Sequence, residues 1–364
     1  MNLTIEILSP VHIGDGTKID NWNYVYDESN KVVKVYSFDK VVSALKHEKL
    51  KLSTLLSKIE RESLQNDLRD FIPKDLNPLY TLKLEGKIRK PNKEGNSEFK
   101  SIWSFIKVAN SVYIPGSEIK GAIRTAIFYH YLKNNQKLKN DFLNDLRNVN
   151  LNGNVKKQVE QISKDYEKRV FSKGKEDGKF DFMKFVSISD TNCKNPGDSL
   201  YITDVKVINT SKTFSELHEV LKKGQKFSFK IDILWNELYN QHTSMDIKDL
   251  NSLKNICNEF AFDLIQHEKE FYKNLEEKLN FDYDKLQNIK DGFLLRIGKH
   301  QGFLSLTVNL IVKQSDPILF GSIFEKIVED YRNSRIKKGY KNKPAKSRKL
   351  TVNNEPLGWV KVSW

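Results

Sequence analysis

The chain has 364 residues, of which 38% are hydrophobic and 11% aromatic, so it can bury a sizeable core and is not expected to be disordered throughout. Its formal net charge is +14; residues 332–349 contribute nine Lys or Arg and no acid, which leaves +5 for the rest of the chain. This charge favours a polyanionic partner such as nucleic acid. The two cysteines lie far apart in sequence and exclude a disulfide framework and a cysteine-rich zinc site.

The sequence carries no sign of export or membrane insertion. Its first residues lack the basic and then apolar segments of a signal peptide, and no apolar run approaches the roughly 18 residues of a membrane span. We therefore expect a cytoplasmic protein with no membrane partner. We recognise no cofactor-binding pattern, so no cofactor or metal is expected.

Alternation and helical spacing predict the elements of the first third of the chain. They are a strand at 2–8, a hairpin at 23–38 with its turn at 27–30, helices at 39–50 and 52–72, a flexible loop at 86–100, and a hairpin at 101–116. Ser37 or Asp39 is expected to cap the first helix, because short oxygen-bearing side chains accept the free N–H groups at a helix start.

The same signals predict the remaining elements. They are short peripheral helices within 132–180, where the segment 172–179 is expected to be mobile, strands at 180–191, 200–209 and 224–235, a helix at 251–279, a strand, glycine loop and strand over 292–312, and a terminal strand at 357–364. Asp190 and Asp204 lie near strand ends and are interpreted as turn or capping residues.

The order of these elements predicts an α+β fold. Clusters of strand, helix and strand occur twice, which favours two ferredoxin-like (RRM-like) domains with antiparallel sheets and helices on one face. The predicted domains are 1–190, with a helical insertion at about 132–180, and 191–364, with a glycine-rich loop and the basic linker 332–349.

The stretch YIPGSEIKGAIRTAIF, residues 113–128, places two cations near a predicted helix start. Ser117 occupies the expected N-cap position after Pro115 and Gly116. Lys120 and Arg124 are a like-charged pair four residues apart, which is mildly destabilising in an isolated helix and suits the opposite helix end better.

Two interpretations of this helix start stay open. An anion docked at its N–H groups would be neutralised by Lys120 and Arg124, with Gly121 allowing a backbone to approach. The alternative is an ordinary capped helix whose two cations are solvated.

The stretch RIGKHQGFLSLT, residues 296–307, brackets a short polar segment with two glycines. Such a loop can expose backbone N–H groups to an anion, with Arg296 and Lys299 adding charge and Phe303 available to stack on a base. The alternative is an ordinary hairpin whose glycines adopt positive φ.

The stretch SPVHIGDGTKIDN, residues 9–21, offers the candidates for catalysis. His12 is a candidate general base, and Asp15 and Asp20 are candidates to hold a metal or polarise a hydroxyl. Alternatively, His12 is a packed turn residue and Asp15 belongs to a turn, because Asp-Gly is a favoured turn dipeptide.

Three motifs together resemble the RAMP superfamily of CRISPR-associated proteins. They are the first strand running into SPVHIGDG, the helix start YIPGSEIKGAIRTAI, and the loop RIGKHQGFLSLTV. The helix start and the ending GWVKV, residues 358–362, resemble one branch, the fifth subunit of the type III-A (Csm) effector complex. These motifs lie at both ends and in the centre, so the resemblance covers the whole chain.

The resemblance implies RRM-like domains and a non-catalytic role in antiviral defence. It implies a subunit that caps the backbone of the complex, contacts the 3′ portion of the guide RNA (crRNA) and supports crRNA maturation without being the trimming nuclease. The implied partners are crRNA, target RNA, other Csm subunits, above all the adjacent backbone subunit, and trimming nucleases.

The resemblance also implies which residues contact RNA. The family's helix start maps onto Gly116, Ser117, Lys120 and Arg124, and its glycine-rich loop maps onto Gly298, Lys299, Gly302 and Phe303. In related backbone subunits an Asp after the first strand cuts target RNA, and Asp20 or Asp15 stands nearest to that position here.

Two other functions remain as alternatives. One is a RAMP endoribonuclease acting on guide precursor or target RNA, with His12 as acid/base or with an aspartate and a divalent metal. The other is a general single-stranded RNA-binding protein, which would bind RNA without a neighbouring subunit.

Overall fold

The computed structural model describes residues 1–60, 67–73, 75–91, 97–172, 181–208, 214–234, 245–273, 275, 278–336 and 348–364. The strands are β1 (Asn2–Ile7), β2 (Gly14–Ile19), β3 (Tyr24–Asp27), β4 (Val32–Val35), β5 (Tyr80–Glu85), β6 (Arg89–Pro91), β7 (Ser97–Phe99), β8 (Ile102–Phe105), β9 (Lys107–Val108), β10 (Ser111–Val112), β11 (Val186–Ile188), β12 (Leu200–Ile208), β13 (Ser215–Leu221), β14 (Lys226–Ile233), β15 (Phe293–Arg296), β16 (Arg348–Thr351) and β17 (Trp359–Ser363).

The helices are α1 (Phe38–Ala44), α2 (Lys49–Glu60), α3 (Gly116–Asn134), α4 (Gln136–Arg147), α5 (Val155–Ser172), α6 (Pro196–Ser199), α7 (Leu250–Lys273), α8 (Tyr283–Gln287), α9 (Asn309–Ser315) and α10 (Pro317–Ile336). Short 3₁₀ turns lie at Leu68–Asp70, Phe182–Phe185 and Phe303–Ser305. Among the described residues, no helix is both long and apolar enough to cross a membrane.

Two main sheets confirm the predicted α+β class. The first has the order β11-β14-β1-β17-β15 and is antiparallel throughout. The second has the order β2-β8-β13-β12-β5-β4-β3, with β16 paired to β12, and contains two parallel pairs, β12 with β5 and β13 with β8. The second sheet is therefore mixed and not antiparallel as predicted.

Each main sheet takes strands from both halves of the chain. The first sheet joins β1 to β14 and β17, and the second joins β5 to β12 and β8 to β13. The sheets therefore do not divide at the predicted boundary between residues 190 and 191. Strand alternation explains much of the core, since Leu3, Ile5 and Ile7 of β1 are almost fully buried.

The long helix α3 packs between the first sheet and the other helices. Its predicted apolar stripe is buried at Ile119, Ile123, Ala126 and Ile127, and it contacts α7, α4, α5, β11 and β15. The helices α4 and α5 lie within 132–180, the segment where short helices were predicted. They are not peripheral, however, because their aromatic side chains, including Phe142, join the main core.

Three other predictions need correction. The second half of 292–312 forms a 3₁₀ turn and α9 instead of a strand, because short apolar runs fit either period. The segment 86–100 contains the ribbon β6–β7. Part of the basic linker is regular structure, since α10 extends to Ile336 and β16 begins at Arg348; residues 337–347, like the segment 173–180, lie outside the described residues.

Two local predictions at element ends are confirmed. The Ser37 side chain accepts a hydrogen bond from the Lys40 N–H and caps α1. Asp190 accepts a hydrogen bond from the Gly116 N–H at 2.7 Å, as a capping residue should.

Candidate nucleic-acid interface

The second sheet aligns three chemically distinct side chains in one row. Strands β2, β8 and β13 lie side by side, and their register pairs Lys18 with Trp103 and Trp103 with His218. Directly paired residues place their side chains on the same face of a sheet. A cation, a large aromatic ring and an imidazole therefore lie next to one another.

The glycine-rich loop that follows β15 packs against the connection between β1 and β2. Gly298 has a φ of +78°, and a Cβ there would lie 2.5 Å from the carbonyl oxygen of His12. The Lys299 N–H donates to that same carbonyl at 2.7 Å. The glycine thus permits a close backbone contact, and this contact fixes the start of the Lys299 side chain.

Two lysine side chains converge on Trp103. The Nζ atoms of Lys299 and Lys18 lie 3.9 and 4.3 Å from the centroid of an indole ring, within range of a cation–π interaction. In the described part of the chain, neither ammonium has an ion-pair partner at 4 Å or less. Burial lowers the pKa of Lys349 on β16, the strand paired with β12, and repulsion from Lys299 lowers it further although Glu216 raises it. Positive charge is therefore concentrated around a half-buried aromatic ring.

Three histidines pack together next to the glycine loop. The rings of His12 and His218, and those of His218 and His300, lie 4.6 Å apart between centroids. His300 Nε2 lies 3.2 Å from His218 Nε2, so one of them donates and the other accepts. His12 Nδ1 lies 2.7 Å from the backbone oxygen of Glu219, to which it donates.

These histidines are neutral at physiological pH. Burial lowers the pKa of His12 to about 4, and it also lowers the pKa of His218, which neighbouring His12 and His300 lower further. The pKa of His300 falls for the same main reason, with Lys349 adding repulsion. The cluster therefore adds packing and hydrogen bonds to the site, and the lysines supply its charge.

The start of α3 is joined to the glycine loop by a carboxylate. Glu118 Oε2 accepts a hydrogen bond from the Gly298 N–H at 3.2 Å. The prediction that Ser117 caps this helix is wrong, because the N-cap is Pro115, which offers no side-chain hydrogen bond, and Asp190 accepts the free N–H of Gly116. The two predicted motifs therefore meet in space, while Gly298 gives its N–H to the protein itself.

The two cations of α3 have partners within the chain. Lys120 donates to the carbonyl oxygen of Val186 at 2.8 Å. Arg124 donates from Nη1 and Nη2 to both oxygens of Asp181 at 2.9 and 2.8 Å, and from Nε to Glu167 at 2.5 Å. Neither of the two interpretations offered from the sequence includes this arrangement. Arg124 ties α3 to α5 and to the segment before β11, and Lys120 ties it to the first residue of β11.

The predicted RNA contact Arg296 is buried, with 6% of its surface exposed. Its guanidinium lies 3.3 Å from Glu268, which also pairs with Arg348 at 3.0 Å, and it donates to the carbonyl oxygen of Leu357. RNA cannot reach this side chain in the described structure. Alternation within β15 does not reveal this, because all four residues of the strand are buried.

Phe303 and Gly302 lie at the far end of the loop. Gly302 has a φ of +88° and open space where a Cβ would be, and Phe303 is 45% exposed. The Phe303 ring packs edge-to-face on Phe324 at 4.5 Å between centroids and lines a mainly apolar groove of about 360 Å³ between α5 and α10. The predicted RNA-binding role of these two residues stays a prediction.

The candidates for catalysis do not converge. His12 is fully buried, so its ring does not meet solvent. Asp15 is exposed on β2 and accepts hydrogen bonds from the N–H and hydroxyl of Thr17, and Asp20 ends the same strand in a turn. Among the described residues, no three His, Cys, Asp or Glu side chains are grouped so that they could hold a metal ion.

Sequence reasoning missed Trp103, Lys18, His218 and Lys349. Trp103 looks like an ordinary strand aromatic in the segment 101–116, and β13 and β16 were not predicted at all. A signal was available for β13, because SELHEVL alternates over part of its length. The strands that pair with β13 could not be predicted from such a pattern, since strand pairing depends on the tertiary fold.

The comparison with known protein families decides the classification. The sequence profile of the RAMP superfamily matches residues 4–300. The chain belongs to the RAMP superfamily. Within it, the chain is 28% identical over its full length to a protein of Methanocaldococcus jannaschii described as CRISPR system Cms protein Csm5, of which 88% is covered.

Solved structures show the same fold over the whole chain. One is a chain of a Csm–crRNA–target RNA ternary complex of a type III-A CRISPR-Cas system, with a TM-score of 0.71, 21% identity and full coverage of both chains. Another is Csm5 of T. onnurineus, with a TM-score of 0.65, 21% identity, and coverage of 98% of this chain and 99% of that one. The resemblance to the fifth Csm subunit is thus confirmed.

Proposed function

We propose that this chain is a non-catalytic, RNA-binding subunit of a type III-A CRISPR (Csm) effector complex in the cytoplasm. It caps the backbone of the complex at the 3′ end of the crRNA and supports crRNA maturation and antiviral defence. Its partners are crRNA, target RNA, the adjacent backbone subunit and the nucleases that trim the guide. The likeness to Csm5 along the full chain carries this proposal.

The charge distribution supports the RNA-binding part. Lys18, Lys299 and Lys349 surround the glycine loop, and phosphates are the partners that such clustered cations favour. The loop is anchored by hydrogen bonds from the Gly298 N–H to Glu118 and from the Lys299 N–H to His12, so the loop cation Lys299 starts from a fixed backbone. A pre-positioned cationic surface loses less conformational freedom on binding RNA.

The proposal that the chain is non-catalytic rests on the three candidate catalytic residues, which do not converge on one site. His12 is fully buried, so it does not meet a substrate as a general base, and its pKa of about 4 leaves it unprotonated at neutral pH, so it cannot serve as a general acid there. Asp15 is the exposed candidate for metal-assisted cleavage. Incubating the pure chain with labelled guide precursor and Mg²⁺ should give no products; products that disappear with chelator and in Asp15→Asn would favour the endoribonuclease.

The test of the proposed function is the length of the guide. The effector complex would be purified from cells with and without this chain, and the 3′ ends of the bound RNA would be sequenced. We expect guides without the chain to stay long and untrimmed. Guides of normal length at full occupancy would contradict the proposal. If expressing the chain from a plasmid restores guides of normal length, the loss of trimming is caused by the absence of the chain.

A further inference from the structure

The indole of Trp103 has an unusual environment for a strand aromatic. It is half-buried and lies beside His218, whose ring is parallel to it within 12° at 6.2 Å between centroids. Lys18 and Lys299 approach an indole ring from a neighbouring strand and from the glycine loop. Trp103 is therefore held in place by the sheet, and two cationic side chains lie over its ring.

Placing two ammonium groups over one indole ring stabilises the protein little. Each gains only a weak cation–π attraction from a partly exposed indole, and the two like charges repel each other. A nucleotide matches these groups better, because its phosphates attract both cations and its base can stack on the ring. The site thus has all the chemical groups that recognise one unpaired nucleotide.

The surroundings favour a single strand over a duplex. An aromatic side chain can stack on a base only when that base is unpaired and turned outward, as in loops and free ends of RNA. The sheet that carries Trp103 is bordered by the glycine loop, which is fixed by the contact between Lys299 and His12. A backbone that passes along this loop can meet Lys299 and Lys18 in succession.

We propose that Trp103 is the stacking platform for one unpaired base of RNA, and that Lys18 and Lys299 leave the indole to pair with the adjacent phosphates. The proposal deepens the proposed function, on which it rests, by naming a nucleotide subsite centred on Trp103, a residue outside the two glycine-containing motifs. The base is recognised by its flat face, so the subsite accepts any of the four bases.

The test uses the complete effector complex reconstituted with synthetic guides. Each guide carries 2-aminopurine at one position of its 3′ portion, because the fluorescence of this base falls when it stacks. The wild-type chain should quench one position. Trp103→Ala should restore most of that fluorescence and weaken retention of the 3′ end about tenfold, while Trp103→Phe should keep most of the quenching.

Two further variants guard against a folding artefact. Trp364, an exposed tryptophan directly after β17, serves as a control, and Trp364→Ala should leave the quenching unchanged. The double variant Lys18→Ala with Lys299→Ala keeps the Trp103 ring, so the base should still be quenched at low salt. As the salt concentration rises, the quenching should be lost earlier in this variant than in wild type.

The outcomes separate this subsite from the proposed function. If Trp103→Ala and the double lysine variant leave quenching and its salt dependence unchanged while the chain still protects the guide 3′ end, the subsite is wrong and the function stands. If omitting the chain leaves the 3′ end equally protected from a single-strand nuclease, the proposed function itself is wrong.

Discussion

At the start of α3, Lys120 and Arg124 donate to a backbone carbonyl and to two carboxylates, whereas Lys18 and Lys299 lie on the ring of Trp103. In the sequence, each of these four cations lies within three residues of a glycine. In one region the charge is matched within the fold, and in the other it remains available for a ligand. The density of basic residues therefore does not locate a nucleic-acid surface until their acidic partners are known.

The same distinction holds inside the glycine loop. Arg296 lies three residues before Lys299, yet it is buried on Glu268 while Lys299 is exposed. A strand end and a positive-φ glycine turn the chain between them. One loop thus supplies both a structural ion pair and a candidate RNA contact, and the following variants test that division.

The largest effect is expected at Glu268, whose carboxylate lies between Arg296 and Arg348. Glu268→Gln keeps the shape but removes the counter-charge of the buried Arg296 guanidinium and one carboxylate partner of Arg348, which should lower the free energy of unfolding by about 3–5 kcal/mol. Urea denaturation measures this. The matched control is Glu160→Gln in an exposed pair with Lys156, where a change of less than about 0.5 kcal/mol is expected.

Acid should destabilise the chain through its histidines. Burial lowers the pKa of His12 to about 4, so the unfolded state binds its proton first as the pH falls below about 6.5. The contribution of neutral His12 to the free energy of unfolding is complete above that pH and decreases as the pH falls from 6.5 to 4. At pH 5, His12 alone should lower the free energy of unfolding by about 2 kcal/mol. Denaturation at pH 7 and pH 5 measures the loss.

A variant pair assigns that loss to the cluster. His12→Asn should show a smaller decrease between pH 7 and pH 5 than wild type, whatever its stability at pH 7. Replacing the exposed His47 by Gln should leave the decrease unchanged. Equal decreases in wild type and both variants would show that His12 is not protected from protonation by the fold.

A smaller loss is expected at Arg124. Burial alone would raise the pKa of Asp181, but hydrogen bonds from Arg124 lower it, so the pair favours the folded state. Because the pair is partly exposed, Arg124→Ala should lower the free energy of unfolding by about 1 kcal/mol. The protection of the guide 3′ end should not change in the folded variant, and a clear loss of protection would restore the helix start as an RNA contact.

The smallest effect, and one of opposite sign, is expected at Gly121. No atom lies within 4 Å of a Cβ placed there, and α3 continues regularly through it. Gly121→Ala should therefore raise the free energy of unfolding by about 0.5–1 kcal/mol. Guide protection should again be unchanged; weaker protection would mean that a backbone does approach this glycine, as the first interpretation of the motif holds.

Local signals in the sequence predicted the elements, and distant contacts decided the site. Alternation suffices for β1 and β14, and a short oxygen-bearing side chain suffices for the cap at Ser37, because these features involve neighbours along the chain. Arg124, in contrast, meets carboxylates 43 and 57 residues away. No local pattern indicates which acids reach it.

The platform was hidden for the same reason. Trp103 acquires its environment from the register of β8 with β2 and β13, and from a loop almost two hundred residues later in the chain. The resemblance to RAMP proteins singled out the glycine loop and the start of α3 as RNA contacts, and the structure joins the two through the hydrogen bond from Gly298 to Glu118. It did not show which loop side chains face inward.

The most direct measurement of the central claim is a crosslink between RNA and this chain. The wild-type effector complex, loaded with its natural guide, would be irradiated with ultraviolet light, and the crosslinked peptides would be identified by mass spectrometry. The account predicts crosslinks in the peptides that contain Trp103 or Lys299. Crosslinks confined to the peptide from Gly116 to Arg124, with none on Trp103 or the loop, would contradict it.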